Sequence, residues 1–180
     1  MKRNVRLVAF VIAVLFAALG LGADQKIAQA TVSWSLYATS NGNGKVVRYD
    51  GTTGALVGDF VTTGLGGLAG PSGLIFGTDD NLYVSSKNNN KVVRYNGTTG
   101  ALIGDFVIAG LGGLNQPNGL IFGPDGTLYV TSSINDKVVR YNGATGALIG
   151  DFVPTGLGGL DGPVGLVFGS DGNLYVFDLD

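Results

Sequence analysis

The sequence predicts an all-β chain built from repeated units of four short antiparallel strands, and three observations carry that prediction. Lys45-Val46-Val47-Arg48-Tyr49 returns at Lys91 to Tyr95 and again at Lys137 to Tyr141, a step of 46 residues. Gly-Leu-Ile/Val-Phe-Gly keeps the same step from Gly73, Gly119 and Gly165, as does Leu-Tyr-Val from Leu82, Leu128 and Leu174. Turn-forming Gly, Asn and Asp residues separate these apolar runs. A period of roughly 40 to 50 residues made of short strands and Gly-rich turns is the mark of β-propeller blades.

Within the central repeat, Gly119 to Gly123 is a short apolar run that reads as an inner, buried strand, and Pro124-Asp125-Gly126 reverses it. Leu128 to Ser132, β-branched and aromatic, is the second strand. Asn135-Asp136 interrupts before Lys137 to Tyr141, a third strand of mixed charged and apolar residues. Asn142-Gly143-Ala144-Thr145-Gly146 makes the next turn, and Ala147 to Val153 is the outer strand. On this reading the chain starts in a second strand near Ser35 to Ala38 and finishes in another at Leu174 to Phe177. The inventory is three strands, two full blades and two strands. That makes about three blades, an incomplete ring or arc, against the four to eight of closed propellers. A fragment of a longer propeller, two chains completing one ring, and an open arc all fit that count.

Residues 1–30 read as a cleaved signal peptide. Lys2, Arg3 and Arg6 precede an uncharged apolar run from Leu7 to Gly22, and Ala28-Gln29-Ala30 offers a cleavage site before Thr31, with Ala23 an earlier stop. The run is short for a spanning helix. The expected location is secreted, periplasmic or extracellular, with residues 31–180 as the repeat domain. Removing residues 1–30 takes four of eleven Lys/Arg and one of thirteen acids, leaving seven positive and twelve negative charges, a net of about −5. No basic stripe remains for nucleic acid, and nothing points to membrane binding after cleavage. The remaining acids are all Asp; the chain has no Glu, His or Cys, so export is not used to form disulfides.

Pro117 to Val130, followed by Lys137 to Tyr141, resembles the NHL repeat and is similar to the related streptogramin-lyase-like and gluconolactonase-like six-bladed propellers. The resemblance covers nearly all of Ser33 to Asp180 and implies the blade fold. It implies two activities to weigh. Streptogramin-lyase-like propellers rely on histidine and a metal, and this chain has no histidine. Gluconolactonase-like relatives hold a divalent metal through a Glu and through Asn or Asp just before the Gly of inner strands. Asn118 matches one such position, Ser72 and Val164 occupy its equivalents, and no Glu completes the set. A hard cation wants six to eight oxygens, so Asn118 stands as a weak metal candidate and no cofactor is expected. NHL blades often carry Asp after the second strand; Asp178 fits, while Ser40, Ser86 and Ser132 stand in its place.

Strand alternation places the loop leading into each inner strand and the loop between the second and third strands on one face. The turns of the opposite face barely differ between repeats: Asp50 to Gly54, Asn96 to Gly100, Asn142 to Gly146. The first face varies, and variation confined to one face marks a recognition surface or relaxed loops. Its binding candidates are Ser72, Lys87, Asn88, Asn89, Asn90, Asn118, Asn135 and Asp136. The Gly-Leu-Gly-Gly-Leu runs at Gly64, Gly110 and Gly156 lack the Lys-Ser/Thr of a phosphate loop and read as turns. Asp79-Asp80-Asn81, Asp125-Gly126 and Asp171-Gly172-Asn173 read as hairpin turns, since the remaining EF-hand ligands are missing.

These readings lead to an exported propeller segment that is not an enzyme and binds a protein or an extracellular glycan. The rivals are a degenerate gluconolactonase-like hydrolase and a structural cell-surface repeat. A head-to-tail homodimer is expected if the arc is to close, with the strands around Gly165 to Phe177 joining the partner's Lys45 to Val61.

Overall fold

The computed structural model describes residues 34–178. The expected signal peptide lies outside them. Thirteen strands form four antiparallel sheets. Blade I holds β1 (Ser35–Ser40), β2 (Lys45–Asp50) and β3 (Leu56–Val61); blade II holds β4 (Pro71–Phe76), β5 (Leu82–Ser86), β6 (Lys91–Tyr95) and β7 (Leu102–Val107). Blade III holds β8 (Pro117–Phe122), β9 (Thr127–Ser132), β10 (Lys137–Asn142) and β11 (Leu148–Val153), and β12 (Gly165–Phe168) with β13 (Leu174–Phe177) forms a hairpin. The strand inventory is the one the repeat predicts, and the arrangement is an open series of propeller blades.

Each turn has a local cause. Asp50, Asn96 and Asn142 accept through one side-chain oxygen the amides two and three residues on and the hydroxyl of Thr53, Thr99 or Thr145, an Asx turn that closes the third hairpin. Backbone hydrogen bonds hold Asp50 even more readily ionised than an ordinary carboxylate, Thr53 first among them. The outer strands are bulged against their neighbours, and the bulge sets Gly58, Gly104 and Gly150 at φ between 139° and 147°, a region open to glycine.

The core lies between blades. Val46, Phe60 and Val61 of blade I pack with Leu68, Leu82, Val84, Val93 and Tyr95; Tyr83, Val92, Phe106 and Val107 of blade II pack with Leu114, Leu120, Val130, Val139 and Tyr141. Tyr37, Tyr83 and Tyr129 each sit edge-on between two phenylalanines, one from the outer strand of the same blade and one from the inner strand of the next. Inner strands approach through glycine: a Cβ on Gly73 would lie 2.4 Å from the Asn118 carbonyl oxygen, and one on Gly119 2.7 Å from that of Val164.

The polar joint between blades is a three-donor clamp. The Leu65–Gly67 stretch makes one 3-10 turn with Gly66 and Gly67 at positive φ. Its three carbonyls accept from blade II: Leu65 from the Tyr95 hydroxyl at 2.8 Å, Gly66 from Lys91 Nζ at 2.8 Å, Gly67 from Asn89 Nδ2. Blade III repeats this on Leu111–Gly113 with Tyr141, Lys137 and Asn135. Lys91 and Lys137 also bind Asp105 and Asp151 at 2.7 and 3.0 Å. Net worth is about 1 kcal/mol for each neutral bond and more for the ammonium.

β2 is paired on both edges, with β1 and with β3.

Burial pushes the Tyr95 and Tyr141 phenols well up from their ordinary value, and the carboxylates of Asp105 and Asp151 push the same way. A folded-state pKa raised above the unfolded one, about 10 for tyrosine, means stability is full below about pH 10 and falls as pH rises through it. Alkaline titration followed by circular dichroism is expected to show this loss, and Tyr141→Phe to be less stable than wild type by about 1–2 kcal/mol at neutral pH but to lose less above pH 10. An identical alkaline loss in Tyr141→Phe would rule the clamp hydroxyl out as its source.

Candidate functional site

The candidate site is the loop face at the start of the inner strands. Three loops of equal length stand there: Asn41–Asn43, Lys87–Asn89 and Ser133–Asn135, each a 3-10 turn closed by a residue in the left-handed region, Gly44, Asn90 or Asp136. That residue ties the loop to the next interblade connection: Gly64, Gly110 and Gly156 donate their amides to its carbonyl at 2.9 Å in all three repeats. Its side chain reaches further. Asn90 Oδ1 accepts the Gln116 amide and Asp136 Oδ1 the Gly162 amide.

This geometry divides the predicted site residues into two groups. Asn89 and Asn135 are clamp donors, and Asn90 and Asp136 are brackets between blades, so four of them hold the scaffold. The third position of the loop is Asn in every repeat, as Asn43, Asn89 and Asn135, and that constancy was the signal for a structural role. Lys87, half-buried, and Asn88, exposed, stand at the first two positions. There the repeats differ most, reading Asn41-Gly42, Lys87-Asn88 and Ser133-Ile134. Ile134 is 56% exposed.

Ser72 and Asn118 meet on the floor between these loops. Thr39 Oγ1 donates to the Ser72 carbonyl at 2.7 Å, Ser72 Oγ donates to Asn118 Oδ1 at 2.8 Å, Asn118 Nδ2 donates to Ser133 Oγ at 3.1 Å, and Ser133 Oγ donates to the Gln116 carbonyl at 2.9 Å. The relay links blades I, II and III, and the equivalent position in the final hairpin is Val164, which cannot extend it. Asn118 is buried, and both ends of its amide are engaged. Its oxygen, the atom a cation would need, already accepts a hydroxyl. Among the described residues no three Asp side chains gather into a group able to hold a metal ion.

Sequence reasoning undervalued the serines after the second strands. Ser86 Oγ accepts the Ala69 amide and donates to its carbonyl, Ser132 Oγ does the same with Asn115, and Asp178 Oδ2 accepts the Asp161 amide. A serine thus does the work the resemblance assigned to aspartate. One position earlier, the pattern breaks: Thr131 bridges the Gly119 amide and carbonyl, whereas its counterpart Ser85 is buried with its hydroxyl unpartnered.

Solved structures with the same arrangement exist. Selenomethionine-substituted virginiamycin B lyase from Staphylococcus aureus superposes with a TM-score of 0.61 at 23% identity, over 81% of this chain and 45% of that one. A catalytically inactive histidine-to-alanine variant of the same lyase with quinupristin gives 0.62 at 21% over the same shares. Kuenenia stuttgartiensis hydrazine synthase gives 0.60 at 15%, over 81% and 43%. The chain therefore has the fold of a β-propeller segment, spanning a little under half the length of these structures. No protein-family model and no curated protein matches it.

This comparison corrects the expectation that the chain is not an enzyme. The lyase and the hydrazine synthase that share its fold are enzymes, so the lack of His, Glu and Cys removes particular mechanisms and not catalysis as such.

Asn118→Ala is expected to lower stability by about 1–3 kcal/mol, because it leaves Ser72 Oγ and Ser133 Oγ without their shared partner, read as a fall in melting temperature. Ca²⁺ is expected to leave the melting temperature of wild type and variant unchanged. A Ca²⁺-dependent rise in wild type that vanishes in Asn118→Ala would return Asn118 to the role of ligand.

Proposed function

We propose that the chain is an exported β-propeller segment that binds another protein through the loop face carrying Lys87, Asn88, Ser133 and Ile134. The observation that carries this reading is the separation of roles within each loop. In blades II and III the third and fourth positions hold the scaffold together, while the first two differ from repeat to repeat, Asn-Gly, Lys-Asn and Ser-Ile, and present Asn88 and Ile134 to solvent. Ile134, 56% exposed, and Lys87 and Asn88 stand on loops of the same face, an apolar side chain and polar ones of the kinds found at the core and rim of protein contacts. Beneath it the Thr39–Ser72–Asn118–Ser133 relay fixes the floor, so the loops are presented in a defined conformation and binding costs little ordering.

A panel of immobilised extracellular proteins and a glycan array, probed with wild type and with Lys87→Ala/Ile134→Ser, test the proposal. A protein signal that weakens at least about tenfold in the double variant, the loss of roughly one small hot spot, is the expected outcome. A glycan signal in its place would assign the face to sugars, and binding untouched by the double variant would move the site elsewhere. Mass spectrometry of any bound molecule reads whether it is altered. The N-terminus of secreted material, expected at Thr31 or Asp24, checks export.

A further inference from the structure

The joint between blades II and III holds a cavity on the face opposite the candidate loops. Its volume is about 370 Å³, within the range of small-molecule sites, and it lies between the β4–β5 turn of blade II and the β8–β9 and β10–β11 turns of blade III. The sequence supplies a cause. Two lining residues are small where the preceding repeat has larger ones: Gly126 and Ala144 stand at the positions of Asp80 and Thr98. Gly126, at φ 77°, has open space where a Cβ would project, and Asp80 holds the same left-handed conformation at φ 60°. Aspartate therefore fits this turn position, and glycine leaves its volume empty.

The fixed polar group on the wall is an acceptor. Asp79 Oδ1 accepts the Asn81 amide at 3.2 Å, and Oδ2 accepts Asn81 Nδ2 at 2.7 Å and the Tyr83 hydroxyl at 2.9 Å. These bonds hold the carboxylate in place and leave a lone pair of Oδ1 open. Four backbone amides of the lining are already spent: Gly77, Gly123 and Gly126 donate to the Asn81, Thr127 and Gly123 carbonyls, and Ala144 donates to Asn142 Oδ1. A ligand that fits this wall brings hydrogen-bond donors.

Charge and shape narrow the class. The Arg94 guanidinium, 5.5 Å over the Phe106 ring, acts on the same Tyr83 hydroxyl that Asp79 binds, so a positive charge already offsets the carboxylate. That favours hydroxyl donors over an ammonium group. Phe122, edge-on to Tyr83 at 5.0 Å, puts an apolar ring on the same wall, and Thr78 adds a hydroxyl at its exposed rim.

We propose that this cavity is a sugar site that takes one neutral pyranose ring. Hydroxyls of the sugar donate to Asp79 and exchange hydrogen bonds with Thr78, while its apolar face packs on Phe122. The site shares no residue with the loop face, so the two surfaces act separately.

Saturation-transfer NMR on the full chain tests this, with the methyl glycosides of glucose, galactose, mannose and N-acetylglucosamine as probes. A dissociation constant of about 1 mM is expected for a ligand of about a dozen heavy atoms. Gly126→Asp/Ala144→Thr, which gives blade III the residues that blade II carries, is expected to keep the far-ultraviolet spectrum and lose the signal. Asp79→Asn is expected to weaken binding at least about tenfold, and Lys87→Ala/Ile134→Ser to bind as wild type does. Transfer to oligosaccharides ending in the preferred sugar assigns the cavity to glycan ends, and transfer to the methyl glycosides alone assigns it to free sugars. No transfer to any of the probes at about 10 mM overturns the proposal, as does a preference for piperidinium, a six-membered ammonium ring. Binding that survives in the filled variant, or that is unchanged in Asp79→Asn, overturns it as well.

Discussion

The stacking of blades depends on one interaction: three side-chain donors of a blade's third strand and preceding loop closing on three consecutive carbonyls of the turn before that blade. The turn must put those carbonyls on one side, which requires two successive left-handed residues, and glycine takes that conformation without strain. At Gly66 and Gly112 a second condition holds, since a Cβ would lie 2.5 Å from Leu102 or Leu148. A Leu-Gly-Gly turn therefore exposes backbone acceptors next to an apolar core, and leaving them unpaired there would cost about 1–3 kcal/mol each. Tyr, Lys and Asn remove that cost, and each can reach only from the next blade. The joint thus makes neighbouring blades interdependent, as expected of a repeat array whose stability sits in its interfaces.

Function is arranged around this constraint. In blades II and III each loop of the candidate face spends its third residue on the clamp and its fourth on a bracket to the following connection, and the first two positions are where the repeats differ most. They are where Lys87, Asn88, Ser133 and Ile134 stand. The polar relay beneath them ends at Val164, which confines the hydrogen-bonded floor to blades I to III.

Most of the strands and hairpins were legible in the sequence, because alternating apolar runs and Gly, Asn and Asp turns act over a few residues and recur at one spacing. Asp50, Asn96 and Asn142 are examples, since their Asx turns are purely local. The site was legible only as a face. Asn89 and Asn135 look like exposed loop amides in sequence, yet their partners are carbonyls twenty-two residues away, and no local pattern encodes which turn a side chain will reach. Asn118 read as no more than a weak ligand candidate for the same reason, its partners Ser72 and Ser133 lying on other strands and loops. Constancy of one loop position against variation of its neighbours was the available clue to the first pair; nothing comparable marked the relay.

Native-state hydrogen exchange in Lys137→Met tests the clamp most directly. The Gly113 and Leu114 amides close the clamped turn on the Gly110 and Leu111 carbonyls. The account predicts that they lose protection in the variant by at least about tenfold, corresponding to roughly 1.4 kcal/mol, while Gly67 and Leu68 of the other clamped turn keep theirs. Unchanged protection at Gly113 and Leu114, or an equal loss at both turns, would contradict it.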